Sequence, residues 1–108
     1  MSDRIIVIAK EFSKFPFARY KRQSDTSAEQ FRDEILVPAL QQHERVTINL
    51  DGTEGYGSSW LDESFGGIVR MGIYSREDLQ YKLSYVSEED PSYIDEIKQY
   101  INDAVASK

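Results

Sequence analysis

Apolar and polar positions alternate most cleanly over residues 46–51. Val46, Ile48 and Leu50 interleave with Thr47, Asn49 and Asp51, the period-two pattern of a strand with one buried face. Gly52, Gly55 and Gly57 come next and permit backbone angles closed to other residues. Beyond Ser58 and Ser59, both good helix-capping types, the apolar Leu61, Phe65, Ile68 and Val69 recur at helical spacing up to Gly72. The unit is a strand, a glycine turn and a helix. Open α/β folds place their sites where a strand end feeds a helix N-terminus.

The flanking patterns predict the rest of the architecture. Residues 5–9 are apolar on both alternating faces, as in a strand buried in the middle of a sheet. Phe12, Phe15 and Phe17 follow, and Pro16 predicts an irregular or edge-like second strand through Arg19 and Tyr20. Thr26 or Ser27 caps a helix, with Glu29 or Gln30 in the reciprocal position. That helix, near residues 27–42, buries Phe31, Ile35, Ala39 and Leu40 and is expected to kink or break at Pro38. A short turn capped by Ser75 and Asp78 leads to Leu79, Tyr81, Leu83 and Tyr85, which alternate with polar residues as a half-buried strand through residues 80–87. Asp90 and Pro91 open a last helix, with Ile94, Ile97, Ile101 and Val105 as its buried stripe up to about residue 106. The tail of Ala106, Ser107 and Lys108 is expected to fray. Such alternation predicts a small α/β domain with a mixed or largely parallel sheet of four or five strands. Polar Thr47 and Asn49 on a central strand imply that helices lie mainly on one face, unlike a doubly wound Rossmann sheet.

Composition narrows the function. The 108 residues fit one domain, and 40% hydrophobic with 30% charged residues suits an ordinary globular chain. No apolar run reaches the roughly 20 residues of a membrane span, and the start lacks signal-peptide features, so a cytoplasmic location is expected. Without cysteine there is no disulfide, thiolate or Cys-based zinc chemistry. One histidine, His43, makes a metal site improbable, and no cofactor is implied. A net charge of −6 disfavours nonspecific nucleic-acid binding. Residues 10–22 run against that balance, with Lys10, Lys14, Arg19, Lys21 and Arg22 facing Glu11 alone. This basic segment either receives an anionic ligand or is simply solvated surface.

Chemistry concentrates in Gly55-Tyr56-Gly57-Ser58-Ser59. The two serines either cap a helix after a tight turn or present hydroxyls and free backbone N–H groups to a ligand or partner. No Gly-Lys-Ser/Thr follows, so the loop is not a Walker P-loop, and the residues from Trp60 on do not complete a Gly-x-Ser-x-Gly nucleophile elbow. Asp51 either holds the loop through backbone N–H groups or pairs with Arg19. Asp62 and Glu63 suit the positive end of the helix dipole. As neighbours about 100° apart on a helix they make a poor acid/base pair. Tyr20, Tyr56 and Trp60 offer aromatic anchors beside the loop, unless Trp60 is buried under residues 10–22.

The string LDGTEGYGSSWLDESFGGIVR resembles the central segment of a bacterial STAS-like family of uncharacterised domains. FPFARY and FRDEILVPAL match it upstream, and DPSYIDEIKQYI matches near the end. That family in turn resembles STAS domains, including anti-sigma-factor antagonists. The resemblance implies a mixed sheet backed mainly on one face by helices and a non-enzymatic regulatory binding module. It also implies a partner-switching protein controlled by phosphorylation of Ser58 or Ser59, with a histidine-kinase-like ATPase acting as serine kinase for partner. Here Gly57 and Trp60 flank the serines where antagonists carry Asp and Gly. The expected binding set is Arg19, Tyr20, Asp51, Gly55, Tyr56, Gly57, Ser58, Ser59 and Trp60. A nucleotide- or phosphate-binding domain or enzyme using the same loop, and a structural adaptor in a larger complex, are the alternatives.

Overall fold

Among the described residues every strand connection is a crossover rather than a hairpin. A computed structural model describes residues 2–105. In chain order it contains β1 (Asp3–Val7), α1 (Ile8–Glu11), α2 (residues 28–42), β2 (Arg45–Asn49), α3 (residues 58–70), α4 (Arg76–Lys82), β3 (Leu83–Val86) and α5 (Ser92–Asp103). The strands form a three-stranded sheet of order β1-β2-β3, parallel throughout, with Ile6 opposite Ile48 and Ile48 opposite Tyr85. Parallel neighbours require long returns over one face, and the helices supply them.

Burial follows the pleat. Ile6, Ile48, Val46, Leu50 and Leu83 sit on the covered face and join one core with Phe31, Leu36, Leu40, Trp60, Leu61, Phe65, Ile68, Ile97 and Ile101 from the helices. The next row, Ile5, Thr47 and Ser84, belongs to the other face, where Ile5 is 60% exposed. Helices therefore back one side of the sheet, as the polar residues of β2 imply. Among the described residues no helix is long and apolar enough to cross a membrane.

Several expectations are corrected. The sheet has three strands among the described residues, not four or five, and is parallel rather than mixed. No strand forms through Arg19 and Tyr20. Ala18 adopts a left-handed φ of 74°, and the carbonyls of Ala18 and Arg19 accept from the N–H groups of Ala28 and Glu29 at 3.0 Å each. The segment thus satisfies donors that the start of α2 leaves free, instead of a ladder. β1 is an edge strand, not the middle one, and ends at Val7. Residues 76–82 are helical: a capping box links Ser75 and Asp78, and Leu79 is buried while Tyr81 is 52% exposed, which strand alternation forbids. α5 ends at Asp103, and Ala104 rather than Val105 closes its buried stripe. The three-residue tail lies outside the described residues.

Both long helices contain a widened turn. In α2 a π-helical stretch, Arg32–Leu36, precedes Val37–Gln42. Pro38 has no N–H to give to Glu34, and the helix absorbs it with this wider turn rather than a break. α3 has its own π turn, Asp62–Gly66. Its end at Gly72, with φ 72°, is a Schellman closure in which Ile73 N–H donates to the Ile68 carbonyl and Gly72 N–H to that of Val69.

Candidate functional site at the start of helix α3

The loop joining β2 to α3 is stapled to the segment after β3. Leu50 N–H donates to the Val86 carbonyl at 2.8 Å. The Asp51 carboxylate accepts from the N–H groups of Glu88 and Glu89 at 3.1 and 3.0 Å, and Gly52 N–H donates to Glu89 Oε1 at 2.9 Å. Gly52 and Gly55 hold φ values of 95° and 126°, which a side chain would strain. The loop then folds Tyr56 inward. Its hydroxyl donates to the Leu50 carbonyl at 2.8 Å, and burial pushes the phenol up to about 12.

Gly57 is the N-cap of α3, and its carbonyl accepts from Trp60 and Leu61. Ser58 and Ser59 are the first two helical residues, both exposed, and neither side chain caps the helix. Their backbone N–H groups belong to the set that every helix start leaves without an internal partner. Trp60, 1% exposed, is a core residue. Its indole Nε1 donates to the Thr26 carbonyl at 3.0 Å, and its ring lies 5.1 Å from Phe31 and 5.4 Å from Tyr56. Tyr20 stays at the surface, its ring 5.4 Å from the Arg22 guanidinium.

One turn further on, the helix carries a charge network. Arg19 Nη1 donates to Asp62 Oδ2 at 3.0 Å and to Glu63 Oε1 at 2.9 Å, tying the irregular segment to α3. Arg70 Nη1 donates to the other Asp62 oxygen at 3.0 Å. Arg32, 3% exposed on α2, donates to Glu63 Oε2 and, through Nε, to Asp33 at 2.9 Å. A buried guanidinium needs such partners. Gly67 makes the crossing possible, because a Cβ there would stand 2.8 Å from Arg32 Nη1. Gly66 serves the other side: its Cβ would lie 3.2 Å from the Tyr100 carbonyl of α5. Partial burial opposes the charge on Asp62, but hydrogen bonds from Arg70 and Arg19 outweigh it and hold the carboxyl below its usual range.

Residues 27–93, more than half of the chain, match a family model described as a STAS-like domain of unknown function. The chain belongs to that family. No curated protein and no solved structure matches it.

The STAS-like domain gathers some of the expected site residues and separates others. Asp51, Gly55, Gly57, Ser58 and Ser59 share one shelf at the C-terminal end of β2. Tyr56 and Trp60 lie beneath it in the core. Arg19 does not meet Asp51; Asp62 and Glu63 hold it instead. A small cavity of about 150 Å³ under the loop is lined by Asp51, Glu54, Glu89 and Asp90, an acidic surround that repels phosphate. Sequence reasoning missed Arg32 and Arg70. The Gly66-Gly67 pair was the available signal for Arg32, since adjacent helical glycines mark something passing close by.

Proposed function

We propose that this STAS-like domain is a regulatory binding module without a catalytic step of its own. Its recognition surface is the shelf made by residues 51–57 and the first turn of α3. The observation that carries this reading is the exposure of Ser58 and Ser59 at the open end of α3, directly after a pinned loop. Phosphate on either hydroxyl adds about −1.5 to −2 charges beside unpaired N–H groups that favour anions. Neither hydroxyl caps the helix, so the fold tolerates the addition, while a partner shaped around neutral serine is repelled. The partner that fits the resemblance is a histidine-kinase-like ATPase acting as serine kinase.

Nucleotide binding in the same loop has less support, because the Arg19 guanidinium already serves two carboxylates and the loop cavity is acidic. The test compares wild type, Ser→Ala and Ser→Asp at positions 58 and 59 in pull-downs from the native host. Alanine should retain the wild-type partners and aspartate should lose or exchange them. Equal capture by all three overturns the switch.

A further inference from the structure

Phe15 and Phe17 are 64% and 68% exposed, although folding usually hides such side chains. Pro16 between them is buried, and this alternation leaves both rings on the solvent side. The segment is not loose. Phe15 N–H donates to Ser13 Oγ at 2.9 Å, Thr26 Oγ1 to the Phe15 carbonyl at 2.9 Å, and Phe17 N–H to the Thr26 carbonyl at 3.0 Å. Anchors fixed in advance lose little freedom on binding. The segment also abuts the shelf: Glu54 N–H donates to the Lys14 carbonyl at 2.8 Å, and Thr26 holds the Trp60 indole next to Ser59.

Charge says what covers these rings. Lys10, Lys14, Lys21 and Arg22 are all exposed on the segment, Lys21 paired with Asp33 at 3.5 Å and the others with no carboxylate partner among the described residues, in a chain of net charge −6. We propose that Phe15 and Phe17 anchor a protein partner presenting an apolar pocket ringed by carboxylates, with those cations facing the ring. An anionic bilayer fits less well, since an extended sheet of charge acts on the whole domain of net charge −6, whereas a partner's few carboxylates need face only the local cations. A second copy fits less well too. The groove of about 880 Å³ along β3, lined by Leu83 and Ile94 among mostly polar residues, has Arg76 and Lys98 outnumbering Asp95, the same sign as the segment. The inference rests on the reading of the domain as a binding module but not on phosphorylation. A phosphate on the shelf would confront the same carboxylate ring.

The experiment places the photo-cross-linker p-benzoyl-phenylalanine at position 15 or 17 of the full chain, in its native host, and sequences the cross-linked peptides. The expected product joins either position to a protein segment combining apolar residues with Asp or Glu. With that protein purified, the double variant Phe15→Ser/Phe17→Ser should weaken binding about tenfold or more, with an unchanged circular dichroism spectrum. The pair Lys14→Glu/Arg22→Glu should slow association, and added salt should slow wild type in the same way. Cross-links to lipid, to a second copy or to a partner segment without carboxylates overturn the proposal, as does their absence. If Ser58→Asp changes capture while the phenylalanine variant does not, this inference falls and the module reading stands. If neither changes capture, both fall.

Discussion

Two loops leave the C-terminal end of the sheet and treat their aromatic residues in opposite ways. After β1 the chain sends Phe15, Phe17 and Tyr20 into solvent; after β2 it draws Tyr56 and Trp60 into the core. Ring chemistry does not decide this, since the two sets are alike in hydrophobicity. Hydrogen bonding and backbone do. Tyr56 and Trp60 each find a backbone carbonyl, at Leu50 and Thr26, and the left-handed Gly52 and Gly55 let the loop turn back under itself. In the first loop the proline between the phenylalanines takes the inward position, and the rings are left outside. Aromatic content marks a site only when the backbone says which way it faces.

The comparison breaks most visibly at Trp60. Trp60→Ala should lose about 3–5 kcal/mol in urea unfolding, because the ring is fully enclosed by Phe12, Phe31 and Tyr56. Gly67→Ala comes next. Despite its better helix propensity, alanine must displace the Arg32 guanidinium from Glu63, and a loss of about 1–3 kcal/mol is expected. Asp62→Asn tests how the basic segment is tied to α3. The folded Asp62 carboxyl lies below its unfolded value, so its contribution is complete above about pH 5 and fades as pH falls through the folded value. The variant should be less stable near neutral pH and show a flatter stability curve below about pH 5. Tyr56→Phe removes one buried hydroxyl bond and should lose about 0.5–1.5 kcal/mol. At the other extreme, Phe15→Ser/Phe17→Ser should change stability by no more than about 0.5 kcal/mol. A large loss there would mean that the rings serve the core, and the contrast between the loops would collapse.

Legibility in the sequence depended on whether a local pattern met competition. β2 was plain because Val46, Ile48 and Leu50 all face the core and Thr47 and Asn49 do not. The capped start of α2 was plain as well, and Ser27 accepts from the third residue on; the Ser75–Asp78 cap was seen too, but only a short turn, not helix α4, was expected after it. Residues 79–85 misled because two readings coexist there. Leu79 belongs to a helix, Leu83 and Tyr85 to a strand, and their even spacing disguises the boundary. Residues 5–9 misled for another reason: an uncovered sheet face lets Ile5 remain exposed, and hydropathy alone cannot tell a covered face from a bare one. The serine shelf was found from its glycines. The Arg32–Glu63 pair, joining α2 to α3, was not, because its partners are far apart in sequence and meet only after the helices pack.

The all-parallel sheet also bears on how this chain reaches its native state. Asp3 pairs with Arg45 and Val46 with Leu83, so each strand must wait for a partner roughly forty residues away, and loop-closure entropy opposes pairing until then. No hairpin can form early to seed the sheet. The first durable structure should be helical, with α2 and α3 meeting through Phe31, Trp60 and Phe65 before β2 is inserted between its neighbours. Refolding should accordingly be slow for so small a domain, and slowed further by truncating Phe31 than by truncating Leu83 on the sheet edge.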